Sequence, residues 1–368
     1  MKNLKSKFNS IKENDIIKSF FIIIYVIICL LLFINQYNIQ YLASGFSAVD
    51  NKNLQVYFLD VGQASSTVVV LPNDMVMVID TGSSDSERDF IESVNTILAR
   101  NKINQIDYLI LTHSDEDHVG GAEILLKEYQ VYNIFRPKIL SVSASEITNE
   151  DYQIVTTQIY QDVITAVYEE PNCVVEFIDD KSIMAGNDTY INFYACKQNS
   201  YVETNDYSPF INLIYQNKSF LFCGDASQDR EEELIEFVQN NDITLNVDFL
   251  LVGHHGSKYS TSSEFLSLIN PKYAFVSAGD SLHPSNEVIE RLKDFGVAEI
   301  YCTKIDGMIG VGVDGEGQFV IKTMNVFVDV PLIFVLFSCL FFYLYPFINK
   351  LGLNKRKNGY LEIKNLIQ

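Results

Sequence analysis

Tryptophan is absent from this chain, histidine is rare, and positive charge is scarce. Lysine and arginine together number 27 against 47 acids, and there are five histidines in 368 residues. The deficit is deeper in the middle of the chain, where residues 50–323 hold 43 acids against 17 Lys or Arg, a net of −26. A surface that tracks a polynucleotide needs cations to displace counterions from the phosphates. Arg88, Lys138, Lys258 and Arg291 are scattered and form no such stripe, which argues against a processive nucleic-acid groove. Cysteine does not organise the chain either. Cys29 and Cys339 fall in apolar runs, while Cys173, Cys196, Cys223 and Cys302 lack the paired spacing of a zinc site. An extracytoplasmic location would permit disulfides, but no pairing is readable, and Cys223 inside an apolar strand reads as a small buried residue. Internal repeats and low-complexity tracts are absent.

Long apolar runs are few, and the two present stand at the ends. Phe20 to Ile34 is interrupted by one tyrosine, and Pro331 to Ile348 only by Ser338 and two tyrosines. Both approach the length that crosses a bilayer. The first reads as an anchor, with a cleaved signal peptide as its rival because Ala-Ser-Gly-Phe-Ser-Ala follows at 43–48. The rival for the second is a buried helix. Lys2, Lys5, Lys7, Lys12 and Lys18 precede the first run, and Lys350, Lys355, Arg356, Lys357 and Lys364 follow the second. Basic flanks stay in the cytoplasm. The expected layout is a basic tail 1–18, a transmembrane helix or signal anchor 19–36, a domain 50–323 on the outer side of the cell membrane, a transmembrane helix 326–348 and a basic tail 349–368.

What the domain does contain is a concentrated ligand set. Thr112-His113-Ser114-Asp115-Glu116-Asp117-His118 directly follows an apolar strand at 106–111. The other three histidines lie in His254-His255-Gly256-Ser257 and His283-Pro284-Ser285, also after apolar strands. Asp225 ends another such strand, after Gly224. His and carboxylate side chains hold divalent metals that acidify water for hydrolysis, and a carboxylate can bridge two ions. The strand and helix signals along 54–323 alternate hairpins with strand-helix units, which predicts two packed sheets with helices outside. Residues 140–172 read as a polar insertion, helical at 149–168, of no readable role.

The order of these motifs resembles the metallo-β-lactamase superfamily. His-x-Asp-x-Asp-His at 113–118 is similar to its first motif, in the variant of the domain attached to ComEC-type competence (DNA-uptake) proteins. Phe58 to Gln63, Asp80-Thr81-Gly82, Gly224-Asp225, His254 to Ser257, His283-Pro284 and Lys304 to Gly307 match further landmarks in order. The resemblance covers about 54–323 and implies a four-layer αββα fold with one or two Zn²⁺ or Mn²⁺ ions. It implies that His113 and Asp115 bind a first ion and Asp117 and His118 a second, with Asp225 bridging. One of His254 and His255 completes the second site, His254 being preferred. His283 is implied as a ligand or substrate contact, and Ser257 as a phosphate or water contact. Asp60 and Asp80 read as supporting residues, with Asp80 a possible ligand.

Two departures stand out. Gln63 is followed by Ala64-Ser65-Ser66, where the family usually has Gly and an acid. No histidine lies between 118 and 254, where many members keep a ligand. Thr204-Asn205-Asp206-Tyr207-Ser208 occupies that place, with Asp206 as a weak candidate. The expected activity is a membrane-tethered phosphodiesterase, with DNA or an envelope polymer such as phosphorylcholine-bearing teichoic acid as substrate. The alternatives are a lactam or lactone hydrolase, which the lack of tryptophan and of a third first-site histidine disfavours, and a non-catalytic metal-stabilised surface domain linked to DNA uptake.

Overall fold

The computed structural model describes residues 20, 23–28, 31, 36–141, 153–155, 157–186, 188–279 and 282–324. The basic tails, the second apolar run, part of the first and the middle of the insertion fall outside the described residues. Among the described residues no helix is long and apolar enough to cross a membrane. One compact unit spans 44–325, and residues 1–43 with 326–368 form another, in which Gln36–Ala43 is helical.

Within 44–325 the strands are, in chain order, β1 (Leu54–Phe58), β2 (Thr67–Val70), β3 (Val76–Ile79), β4 (Gln105–Ile110), β5 (Gln130–Arg136), β6 (Ile139–Ser141), β7 (Gln153–Val155), β8 (Val174–Phe177) and β9 (Lys181–Met184). They continue as β10 (Thr189–Tyr194), β11 (Phe210–Tyr215), β12 (Lys218–Phe222), β13 (Phe249–Leu251), β14 (Tyr273–Val276), β15 (Glu299–Cys302), β16 (Ile309–Val313) and β17 (Phe319–Thr323). The longer helices are α1 (Glu87–Asn101), α2 (Ala122–Glu128), α3 (Gln158–Glu169), α4 (Gln228–Asn240), α5 (Ser263–Ile269) and α6 (Asn286–Asp294). One sheet has the order β17-β16-β1-β2-β3-β4-β5-β8, the other β15-β14-β13-β12-β11-β10-β9.

The core follows from alternation along doubly buried strands. Phe220 and Phe222 of β12 point between the sheets, as do Phe249 and Leu251 of β13. Leu221 and Leu250, one position along, point the other way, onto Leu234 of α4, Phe265 of α5 and Leu292 of α6. Phe58 from one sheet stacks on Phe275 from the other at 4.4 Å. Val68, Val78, Leu109 and Ile134 are fully buried on the outer side of the eight-stranded sheet, where α1, α2 and α3 carry their buried apolar faces. The layers are helix, sheet, sheet, helix.

Four strands escape the sequence reading, β5, β6, β7 and β9. β5 carries Gln130 and Asn133, which break its alternation, yet it lies parallel between β4 and β8. β9 is a short edge strand. The insertion is also less helical than expected, since β7 precedes α3, which starts only at Gln158. Cys173, Cys196, Cys223 and Cys302 are unpaired, with Cys223 buried.

β3, β4, β5 and β8 run parallel, as do β12, β13, β14 and β15. The loops after β3, β4, β12, β13 and β14 open on one edge of the sandwich, and the contacts described next join them there.

Candidate metal centre

Register brings Ser208, Asp225 and His254 side by side. β11 and β12 pair Ile211 with Phe222, so three residues further along Ser208 faces Asp225. β12 and β13 pair Phe222 with Leu251, so the same extension sets Asp225 beside His254. The extension is real: the Asp225 N–H donates to Ser208 Oγ at 3.0 Å, and the His254 N–H to the Gly224 carbonyl at 3.0 Å. Gly224 has φ +50°, and a Cβ there would meet Ser208 Oγ at 2.9 Å and Thr112 Cβ at 3.0 Å. This glycine makes room for neighbouring side chains.

Asp225 is the hub. Its carboxylate lies 3.0 Å from His118 Nε2, 3.5 Å from His255 Nε2, 3.9 Å from His254 Nε2 and 4.0 Å from His113 Nε2. His255 Nε2 is also 3.2 Å from Asp117 and 3.3 Å from His118 Nε2. Two groups of potential ligand atoms result, His113 with His118 and Asp225, and Asp117 with His118 and His255. Asp115 lies 3.9 Å from His113 Nε2 and remains partly exposed.

The tautomers show that these nitrogens are aimed at a cation. Thr112 Oγ1 spends its one hydrogen on Asp80 Oδ2 at 2.8 Å, so it must accept from His113 Nδ1 at 3.0 Å. His118 Nδ1 donates to Asp80 Oδ2 at 2.7 Å, and His255 Nδ1 to the Ser277 carbonyl at 2.8 Å. In the neutral rings all three Nε2 atoms then carry lone pairs directed at carboxylates. That arrangement is repulsive unless protons or a positive ion intervene. His113 Nε2 is buried and has no hydrogen-bond partner. Hydrogen bonds that fix the far nitrogen are how proteins orient metal-binding imidazoles, so the residues present fit a divalent ion.

Charge behaviour agrees. Burial opposes a proton on His118, but Asp225 and Asp80 outweigh it and raise its pKa well above the imidazole range. His255 is raised in the same way by Asp225 and Asp117 against burial. Burial alone would raise Asp225, yet His118 and His255 hold it well below the carboxylate range. Asp117 is lowered too, by His255 and His118 against burial. Burial, with His118 beside it, lowers His113. His254 is lowered by burial, with His255 and His283 adding to it.

The first-motif turn is supported from behind by the residues that depart from the family pattern. The Ser65 N–H donates to the Asp117 carbonyl at 3.1 Å, and Ser66 Oγ to the Asp80 carbonyl at 2.9 Å. The 254–256 turn has three successive left-handed residues, His254 at φ +49°, His255 at +52° and Gly256 at +78°. Such conformations are costly for side-chain-bearing residues and need outside support. Glu231 of α4 accepts from the N–H groups of Thr261 and Ser262, and Arg291 of α6 donates to the carbonyls of Ser260 and Thr261. Ser260 Oγ ties this loop back to the Gly253 carbonyl at 2.8 Å.

Not every candidate joins the ligand groups. His255, not the preferred His254, sits among them. His254 is half-buried on the rim, where its ring stacks on His283 at 6.2 Å. Asp80 contacts His118 and Thr112 and supports them from behind. The Ser257 hydroxyl is turned to the Tyr259 N–H of its own loop at 3.4 Å. Asp60 is exposed. The Asp206 side chain is buried outside the groups, and its neighbours reach the site instead. Asn205 Nδ2 is 3.3 Å from His254 Nε2, and Ser208 Oγ is 3.4 Å from His113 Nδ1. A search for ligands among acids passes over the amide and the hydroxyl. The hairpin register would have found Ser208.

The sequence model of the metallo-beta-lactamase superfamily matches residues 59–180 and 203–280, and the chain belongs to that superfamily. Among curated proteins it is similar to ComE operon protein 3 of Bacillus subtilis, at 29% identity over 255 residues, 65% of this chain and 30% of that one. Recombination protein 2 of Haemophilus influenzae is 28% identical over 275 residues, 72% of this chain and 30% of that one. Competence protein ComA of Neisseria gonorrhoeae is 24% identical over 284 residues, 76% of this chain and 35% of that one. The chain thus spans about a third of the length of these relatives and is similar to their metallo-β-lactamase-like domain.

Proposed function

We propose that the chain is a metal-dependent phosphodiesterase, tethered to the membrane with its catalytic domain on the extracytoplasmic side. The observation that carries the reading is the Asp225 carboxylate, buried within 3.0–4.0 Å of four imidazoles. In this assignment Asp117, His118, His255 and Asp225 would hold one ion, and His113, Asp115 and Asp225 would hold a second. Divalent Zn²⁺ or Mn²⁺, when bound, supplies electrophilic stabilisation of phosphoryl oxygens and acidifies water. Asp115 in place of an imidazole makes the first position harder and favours Mn²⁺ there. His254, His283 and Asn205 line the open side, with ring nitrogens and an amide suited to hydrogen-bonding a substrate oxygen. Hydrolysis forms one P–O bond from water, breaks the P–O bond to the leaving alcohol and passes a proton to that alcohol.

The similarity to competence and recombination proteins supports a DNA-uptake context, whereas the acid surplus favours a small or envelope-bound diester over a long polynucleotide. The test is turnover of bis-p-nitrophenyl phosphate by the full chain with Mn²⁺ and with Zn²⁺, beside Asp117→Ala and beside nitrocefin. Metal-dependent phosphodiester turnover lost in Asp117→Ala is expected. Turnover of nitrocefin alone would establish the acyl hydrolase instead, and metal binding without either would leave the surface-binding role.

A further inference from the structure

We propose that the substrate is an amphiphilic phosphodiester whose hydrocarbon chain lies on an aliphatic rim around the metal centre. This rests on the phosphodiesterase reading above. Among the described residues of 44–324, the five most exposed large hydrophobic side chains are Val202 at 93%, Leu282 and Ile305 at 74%, Met184 at 70% and Tyr259 at 64%. Val202, Tyr259 and Leu282 lie on loops and Ile305 on the one-turn helix Thr303–Asp306, at the edge that carries the site. Val202 belongs to the loop that brings Asn205 to His254 and Ser208 to His113. Tyr259 follows the strained histidine turn. Leu282 adjoins His283, which stacks on His254. Ile305 sits in the turn whose Thr303 hydroxyl accepts from the Ala278 N–H at 3.1 Å, one residue beyond the carbonyl that orients His255.

A single exposed aliphatic residue needs no explanation, but several around one opening mark a contact surface. The chemistry of the rim narrows its occupant. Three of the four side chains are aliphatic and offer no face for base stacking, which single-stranded nucleic acid sites rely on. The acid surplus gives no counterion release to a polyanion. A hydrocarbon chain suits both facts, since each buried methylene gains roughly fourfold in affinity and carries no charge. The membrane tether proposed above would hold the domain beside such lipids.

The test uses the full chain in a mild detergent at constant concentration, loaded with Mn²⁺. Three diesters with the same leaving group are compared: p-nitrophenyl methyl phosphate, p-nitrophenyl dodecyl phosphate and the p-nitrophenyl ester of thymidine 5′-phosphate. The dodecyl diester should show a KM at least tenfold below that of the methyl diester. Val202→Ser and Ile305→Ser should each shrink that ratio, and the double substitution should bring it to within about twofold of one, with unchanged circular dichroism. Equal KM values, preference for the thymidine ester, or a ratio indifferent to both substitutions would overturn the rim. Hydrolysis of none of the three by metal-loaded protein would instead remove the phosphodiesterase reading, and the rim proposal with it.

Discussion

Asp80 shows how much of the candidate metal centre is set by a residue outside its two ligand groups. Its two oxygens take hydrogen bonds from the Thr112 N–H, the Thr112 hydroxyl and His118 Nδ1, which fixes His118 directly and His113 through Thr112. An asparagine there must turn its amide hydrogens toward one of these donors. Asp80→Asn should therefore weaken Zn²⁺ binding by about 10- to 100-fold in a folded protein, measured by competition with a chromophoric chelator. The protons on His118 and His255 compete with the same ion. Because both pKa values are raised above the ordinary imidazole value of 6.5, Zn²⁺ affinity should climb as pH rises above that value, with up to two protons released per ion. A pH-independent affinity would mean that the ion does not displace them. At this scale the sequence was readable for carboxylates and imidazoles, whose chemistry names them. It did not separate His254 from His255, because the choice depends on a left-handed turn.

Strands, loops and helices decide where those side chains meet. The strand-then-polar-loop pattern was visible at every site, but Ser208 was not picked out until the pairing of Ile211 with Phe222 set it opposite Asp225. What holds the histidine loop was not visible, since Glu231 and Arg291 lie on separate helices 60 positions apart and look like ordinary surface charges. In the fold the Glu231 carboxyl is buried and its pKa is raised from 4.5 to about 7, chiefly by loss of water. A raised acid binds more protons folded than unfolded across that window, so its contribution to stability falls as pH rises from 4.5 to about 7. The difference is on the order of 3 kcal/mol. Glu231→Gln should abolish that decline, checked by urea unfolding at pH values across the window. Identical profiles for the two proteins would show that this carboxyl does not titrate there. β5 was missed for a related reason, because Asn133 Nδ2 donates to the Asp107 carbonyl of the neighbouring strand, a partner that only pairing supplies.

For the whole molecule, charge and hydropathy argue for a tethered domain. Both apolar runs have basic flanks, and the segment between them nets −26. Alkaline phosphatase fused after residue 323 should be active in cells, since it needs the extracytoplasmic side, whereas the same fusion after residue 368 should be inactive. The opposite pattern would invert the topology, and equal activity of both fusions would remove the second span.

Read by itself, the sequence determined the ligand types, their order along the chain, the two-sheet architecture and the family. These rest on local chemistry and on alternation, both of which are written residue by residue. The tertiary structure decided that His255 joins the candidate ligand groups, that Asp80 stands behind His118, that Asn205 and Ser208 reach His254 and His113 while Asp206 lies outside them, and that four exposed hydrophobic side chains sit on segments at the same sheet edge. Each of those depends on contacts between segments tens of residues apart, set by strand register and turn conformation and not by the identity of any one residue.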